Sequence, residues 1–210
     1  MNDMVIPRIE DYELHAPELS AANIVTWTQD DRRSLLLVHD MQQYFLDRLP
    51  QAVRGSLLEN CRRLVAHARA HDVPIFYTAQ RGDMSPKARG LLYDIGGKGM
   101  SSATTHTAIP EVIAPRPQDA VLAKWRYSAF YATSLGEAFR EHARDQIIIC
   151  GVYAHIGVLA SAIDAYSRDI QVFLVQDAIA DFSKQKHAQA LSYAAECCAK
   201  VLPVSEVCKP

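Results

Sequence analysis

Ser34-Leu35-Leu36-Leu37-Val38-His39-Asp40 sets four apolar residues in a row and closes them with a histidine and a carboxylate. Continuous apolarity, rather than alternation of apolar and polar residues, predicts a strand buried on both faces, the usual state of a strand inside a parallel sheet covered by helices. Downstream, the stretch from Ser56 to His71 brings Leu57, Cys61, Leu64, Val65 and Ala68 onto one helical face, completing a βα unit. The alternation recurs outward from there. Strands are expected at Pro74 to Thr78, Ala120 to Ala123, Gln146 to Cys150, Val172 to Val175 and Lys200 to Val204, with helices at Leu135 to His142, Val158 to Ser167 and Lys186 to Cys198. Parallel strands need right-handed crossover connections, so the expected architecture is α/β: a three-layer sandwich around a six-stranded, mostly parallel, doubly wound sheet.

The whole chain of 210 residues is expected to form one domain, with residues 1–30 as an N-terminal arm. Lys and Arg number 22 against 24 Asp and Glu, which gives a formal charge of −2 and no general basic footprint for nucleic acid or an anionic membrane surface. The opening Met1 to Pro7 carries no basic start and no signal-like apolar stretch, and no apolar run reaches the length of a membrane span, so a cytoplasmic protein is expected. Five cysteines, Cys61, Cys150, Cys197, Cys198 and Cys208, form no CxxC pair, consistent with a reducing compartment rather than a disulfide framework.

Ligands of open α/β sheets bind beyond the carboxyl ends of the strands. That rule selects Asp40, Gln80 with Arg81, Lys124, and the segment Gly151-Val152-Tyr153-Ala154-His155-Ile156-Gly157. A desolvated carboxyl beside a lysine is suited to general acid–base work, and the same pair equally describes a structural ion pair or a capping Asp. His39 and His155 are read as hydrogen-bonded polar groups rather than metal ligands, because no second ligand stands at metal spacing from either.

Five blocks in order carry a more specific signal: Val38-His39-Asp40-Met41-Gln42-Gln43-Tyr44-Phe45, Tyr77-Thr78-Ala79-Gln80, Lys124-Trp125-Arg126-Tyr127-Ser128-Ala129-Phe130, Gly151 to Gly157, and Asp177 to Ser183. Together they resemble the isochorismatase family over nearly the whole chain from Arg32 to Val207. Amidases of the same superfamily share the Asp and Lys and add a nucleophilic Cys, and Gly157 stands where that thiol would be. Glycine forms no thioester, so the resemblance implies non-covalent hydrolysis of an enolpyruvyl ether, with release of pyruvate and a dihydroaromatic acid. It further implies Asp40 as the acid, Lys124 as the group that orients and tunes it, and Gly157 as the small residue that leaves room for the enolpyruvyl carboxylate. Gln80, Arg89 and Tyr153 match substrate-binding positions, and Tyr44, Phe45, Trp125, Tyr127 and Phe130 are expected to supply an apolar wall, with some of them in ordinary core packing. The implied partner is a small dianionic substrate, no metal or organic cofactor is required, and a homodimer is the assembly usual in the family.

Within the family, Tyr44 to Pro50, Gly157-Val158-Leu159 and Asp164 to Gln171 look more like phenazine-pathway 2-amino-2-deoxyisochorismate hydrolases than siderophore isochorismatases. No aryl-carrier segment follows Pro210, so a stand-alone enzyme is expected. The chain departs from the family at Asp94-Ile95-Gly96-Gly97-Lys98-Gly99, where an aromatic-rich Asp-Phe-Trp-Gly-Pro-Gly loop is usual. A looser and wetter loop is the expectation there.

Overall fold

Strand β1 (Ser34–His39) is buried along its whole length, and its alternate side chains enter two separate cores. Leu36 and Val38 pack in the core that contains Val53, Leu57, Cys61 and Leu64, whereas Leu35 and Leu37 pack with Leu135, Phe139, Val158 and Leu191. An unbroken apolar run is therefore what this position demands: with side chains pointing alternately up and down, each face meets a different helical layer.

The computed structural model describes residues 9–14, 18, 20 and 22–209. Five further strands are β2 (Ile75–Gln80), β3 (Ala120–Lys124), β4 (Gln146–Val152), β5 (Gln171–Ala180) and β6 (Lys200–Leu202). All pairings in the sheet are parallel, in the order β3-β2-β1-β4-β5-β6. The expected sheet was mostly parallel; the observed one is entirely so. The order reverses between β1 and β4, and the crevice at their carboxyl ends is where such a sheet binds its ligand.

Four longer helices cover the faces: α1 (Gln51–Ala70), α2 (Leu135–Glu141), α3 (Leu159–Tyr166) and α4 (Lys184–Cys197). Helix α1 begins five residues before the expected Ser56. Gly55 does not break it, because its position faces open space, and Val53 extends the buried stripe by a further turn. Strand β5 runs five residues beyond the expected Val175, and β6 stops at Leu202 because Pro203 cannot continue the ladder.

Of the expected arm, residues 1–8, 15–17, 19 and 21 lie outside the described residues, and the Met1 to Pro7 opening lies there too. The described part packs on the body: Ile9 and Leu14 are buried in the first core. Asn23 clasps Val201 at the sheet edge, donating from Nδ2 to its carbonyl at 2.7 Å and accepting its N–H at 2.7 Å. That contact covers an edge strand that would otherwise offer unpaired backbone groups. No helix among the described residues is long and apolar enough to cross a membrane.

Candidate active site

Asp40 follows β1 with φ +51°, a left-handed conformation that Asp tolerates better than most residues. The turn directs its carboxylate back over the sheet, where the side chain is almost fully buried. Thr78, on the adjacent β2, holds it twice with one hydroxyl: Oγ1 accepts the Asp40 N–H at 3.0 Å and donates to Oδ1 at 2.6 Å. Lys124 ends β3, also buried, and its Nζ donates to Asp40 Oδ2 at 3.3 Å. Three neighbouring strands thus converge on one carboxylate.

His39 is completely buried beneath this group, with its Nδ1 2.8 Å from the Val152 carbonyl and 3.8 Å from Asp40 Oδ2. Burial pushes the His39 pKa down to about 4, so the ring is neutral at physiological pH. For Asp40, burial opposes the charged form, but His39, the Lys124 ammonium and the Thr78 bond outweigh it and leave the carboxyl below its ordinary value. Near neutrality, where His39 is uncharged, the Lys124 ammonium and the Thr78 bond still favour the carboxylate against burial. Asp40 in the free site is a carboxylate.

A cavity of about 110 Å³ opens above this group, bounded by Asp40, Lys124 and Gly157 together with Gln80, Arg89, Tyr153, Tyr127 and Phe45. The expected catalytic and substrate-binding positions are here and Tyr44 with them, but two members of the expected apolar wall, Trp125 and Phe130, are not. Trp125 lies outside the lining, where its ring carries the Arg81 guanidinium at 5.4 Å. The expectation of a substrate contact at Trp125 is corrected accordingly: successive residues of an extended chain point to opposite sides, and Lys124 takes the inward one. Phe130 belongs to the second core, stacked on Phe139 with centroids 6.2 Å apart. Tyr153 Oη donates to the Phe45 carbonyl at 2.6 Å, and burial raises its pKa, which fixes it as a neutral wall with Phe45 edge-on to its ring.

Arg89 is buried. Its Nε donates to the Gly97 carbonyl at 2.7 Å, and among the described residues no carboxylate pairs with it. Burial lowers its pKa from the ordinary guanidinium value. Gly99, at φ +74°, makes this possible, because a Cβ there would run into the guanidinium. The segment expected to be a loose loop is folded: short helices Pro86–Arg89 and Leu92–Gly96 end at Gly90 and Gly97, both with positive φ. Leu92 and Ile95 project from the second helix onto the cavity. The glycines shape a turn around Arg89 instead of loosening the segment.

Gly157 lies in the π-helical turn Ala154–Val158 that precedes α3. It borders the cavity, but the direction a side chain would take is filled: a Cβ would stand 2.8 Å from His39 Nε2, closer still to Cε1, and 3.2 Å from the Tyr127 carbonyl. The expectation that Gly157 leaves room for a substrate carboxylate is corrected by this packing. His39 occupies the space that a thiol would need.

Several contributors escaped the sequence reading. Gln42, buried, accepts the Gln80 N–H at 2.7 Å and donates to the Gln80 and Thr107 carbonyls at 3.0 and 3.1 Å, tying the end of β2 to the cavity rim. Ile156 and Phe182 line the cavity from within two of the quoted blocks, and Leu92 and Ile95, three apart on one short helix, line it as well. His155 is held by Asp181, its Nδ1 2.6 Å from Oδ1 and its N–H donating to Oδ2 at 2.7 Å.

The site thus joins a buried carboxylate–lysine pair at the switch point of a parallel α/β sheet to a glycine whose side-chain direction is filled by a histidine, so no residue there can form an acyl-enzyme thioester. Residues 34–206 match the Isochorismatase domain model, and the chain belongs to the isochorismatase family. It is 49% identical over 202 residues, 96% of its length and 98% of the relative's, to "Phenazine biosynthesis protein PhzD" of Pseudomonas fluorescens. It is 44% identical over 198 residues, 93% of its length and 64% of the relative's, to "Isochorismatase" of Bacillus subtilis (strain 168). Among solved structures, a cysteine hydrolase from Pseudomonas syringae pv. phaseolicola 1448A superposes with a TM-score of 0.80 over 88% of this chain and 95% of that one at 22% identity, a likeness of fold alone.

Proposed function

We propose that the chain hydrolyses the enolpyruvyl ether of 2-amino-2-deoxyisochorismate, or of isochorismate itself, giving pyruvate and a dihydroaromatic acid for phenazine-type secondary metabolism. The observation that carries the reading is the Asp40–Lys124–Thr78 cluster at the floor of an apolar-walled cavity. The high identity to a phenazine biosynthesis protein over nearly both full lengths supports the amino substrate, and the Bacillus relative supports isochorismate as the alternative.

An enol ether resists hydroxide but accepts a proton at its terminal methylene carbon. Asp40, protonated in the substrate complex, delivers that proton, and the ether oxygen stabilises the resulting oxocarbenium ion. Water adds to the cationic carbon and loses a proton, which returns to Asp40, and the hemiketal collapses by breaking the bond between that carbon and the ring oxygen. Pyruvate and the ring alcohol leave. Lys124 keeps the carboxyl oriented throughout, and Arg89 faces a substrate carboxylate as a cation with no competing partner.

Asp40→Asn preserves the shape and removes the acid. Its kcat for pyruvate release should fall by about 10²–10⁴-fold. Assays with 2-amino-2-deoxyisochorismate, isochorismate and nicotinamide, following pyruvate and ammonia, separate the readings: pyruvate from the amino compound with the higher kcat/KM supports the proposal, and ammonia from nicotinamide overturns it. The homodimer and the cytoplasmic location implied by the family resemblance belong to the same proposal, and sedimentation velocity tests the first.

A further inference from the structure

At the opposite end of the sheet, on the amino-terminal side of β1, the last turn of α1 presents His67, and His71 follows directly after the helix. Residues four apart lie on one helical face. Here the two imidazoles stack with centroids 4.1 Å apart and an interplanar angle of 26°. The 3-10 turn Asp31–Arg33 brings a carboxylate across to them: His67 Nε2 is 2.9 Å from Asp31 Oδ2. One donor atom from each of Asp31, His67 and His71 lies within 4.8 Å of the other two.

We propose that Asp31, His67 and His71 form a binding site for a divalent transition-metal ion of the zinc, nickel or cobalt class, remote from the catalytic cavity. Two imidazoles and a carboxylate are the donor set such borderline ions prefer, whereas magnesium and calcium favour all-oxygen shells. Two of the three ligands are already oriented from behind. His71 Nδ1 sits 2.9 Å from the His67 carbonyl, and as a donor there it leaves Nε2 with a free lone pair. Asp31 Oδ1 accepts from Gln29 Nε2 at 2.8 Å, and its backbone carbonyl accepts from Arg144 at 3.1 Å. The carboxyl end of α1 also favours a cation through its dipole.

Binding draws the three donors to about 2.0–2.2 Å from the metal, with water completing the shell. The proton between His67 Nε2 and Asp31 moves to the other ring nitrogen or to solvent. The site opens on a surface depression bordered by the carboxylates of Asp30, Asp72 and Glu206 and by the cations Arg32, Arg33 and Lys209, of which Arg32 and Arg33 are paired with Asp30 and Asp145. Its effect on the fold is a cross-link between the segment that leads into β1 and the end of α1.

The test uses tag-free full-length protein stripped with chelator and titrated with zinc, nickel or cobalt chloride alone. One metal should bind per chain by calorimetry, and the thermal midpoint should rise by about 5 °C at metal concentrations near 100 times Kd. His71 is exposed, so His71→Ala should fold normally, keep its pyruvate-forming activity and weaken metal binding about tenfold or more. Asp40→Asn, altered only at the catalytic cavity, should bind the metal as the wild type does. The cobalt complex should show no thiolate charge-transfer band, since all three donors are nitrogen or oxygen. Absence of binding, unchanged affinity in His71→Ala, loss of binding in Asp40→Asn, or a thiolate band would each overturn the assignment.

Discussion

Gly157→Ala adds a single methyl group, and the structure places that methyl where the His39 ring already is. Its Cβ would lie 2.8 Å from Nε2, against an ordinary contact of about 3.5 Å, and closer still to Cε1. The ring has nowhere to retreat: it is fully buried, and its Nδ1 is engaged with the Val152 carbonyl at 2.8 Å. Overpacking of this kind costs about 1–3 kcal/mol, and breaking the buried bond to let the ring turn costs about 1–3 kcal/mol more. A loss of about 2–6 kcal/mol corresponds to roughly 4–24 °C in the unfolding midpoint of a chain this size. Because His39 precedes Asp40, pyruvate release should fall with stability. The decisive measurement is a double-mutant cycle by urea unfolding. His39→Ala opens the space, so adding Gly157→Ala in that background should cost little, giving a coupling energy of at least about 1 kcal/mol. Equal costs in both backgrounds, or a wild-type midpoint for the single Gly157→Ala variant, would refute the packing argument.

Arg89→Leu removes the unpaired buried cation, and KM for the enolpyruvyl substrate should rise about 10–100-fold, the worth of a charged hydrogen bond, while kcat changes little; an unchanged KM in steady-state assays removes Arg89 from the binding role. The proton donor must be the protonated form of a carboxyl whose free-site pKa is lowered, so kcat/KM should decline tenfold per pH unit above that pKa. Thr78→Val deletes a hydrogen bond to the charged form, which raises the pKa, and the decline should then begin at higher pH; a profile that does not move, or moves down, contradicts the assignment of Thr78. His39 and His187 are both buried, and burial pushes their pKa values down to about 4 from the ordinary imidazole value of 6.5. Since the unfolded chain takes up protons that the folded one refuses, their contribution is intact above pH 6.5 and is lost as pH falls toward 4, about 3 kcal/mol for each. Urea midpoints measured from pH 7.5 to 4.5 should fall below pH 6.5, less steeply in His187→Gln, and identical slopes would count against a buried neutral His187.

The sheet was legible because each central strand is an uninterrupted apolar run, and Leu35 to Val38 admits few other readings. Asp40 and Lys124 were legible by position, as the first polar groups past their strands. What the one-dimensional pattern hides is set by register. His39 pairs with Gly151 across β1 and β4, and only that alignment reveals that the missing side chain of Gly157 and the imidazole belong to one packing unit. For Arg89 the sequence offers a family position but not its burial, which depends on the absence of a Cβ ten residues later, at Gly99. Trp125 misled because adjacency to Lys124 in sequence means opposition in space. Gly96 and Gly97 misled because glycine-rich spacing in a loop also fits the ends of short helices.

On the proposed reading, the charges at the cavity explain how a lowered carboxyl pKa is compatible with Asp40 as the acid. In the free site, Asp40 as carboxylate, Lys124 and Arg89 sum to one positive charge, with His39 contributing none. A substrate bound as a dianion, which isochorismate is and 2-amino-2-deoxyisochorismate becomes when its amine binds uncharged, changes that sum to minus one, and a negative charge held near a buried carboxylate raises its pKa. Taking up one proton on Asp40 returns the closed site to neutrality. Substrate binding and acid loading are then the same event on the proposed reading: the proton arrives when the enol ether does, and at the group that Thr78 and Lys124 have already aimed. The neutral state of His39 is essential to this balance. Were that ring protonated, the site would accept the dianion without needing a proton, and Asp40 would remain a carboxylate through the encounter. Burial of His39 against Gly157 therefore does more than exclude a thiol: by keeping the imidazole uncharged, it leaves Asp40 as the group that takes the proton.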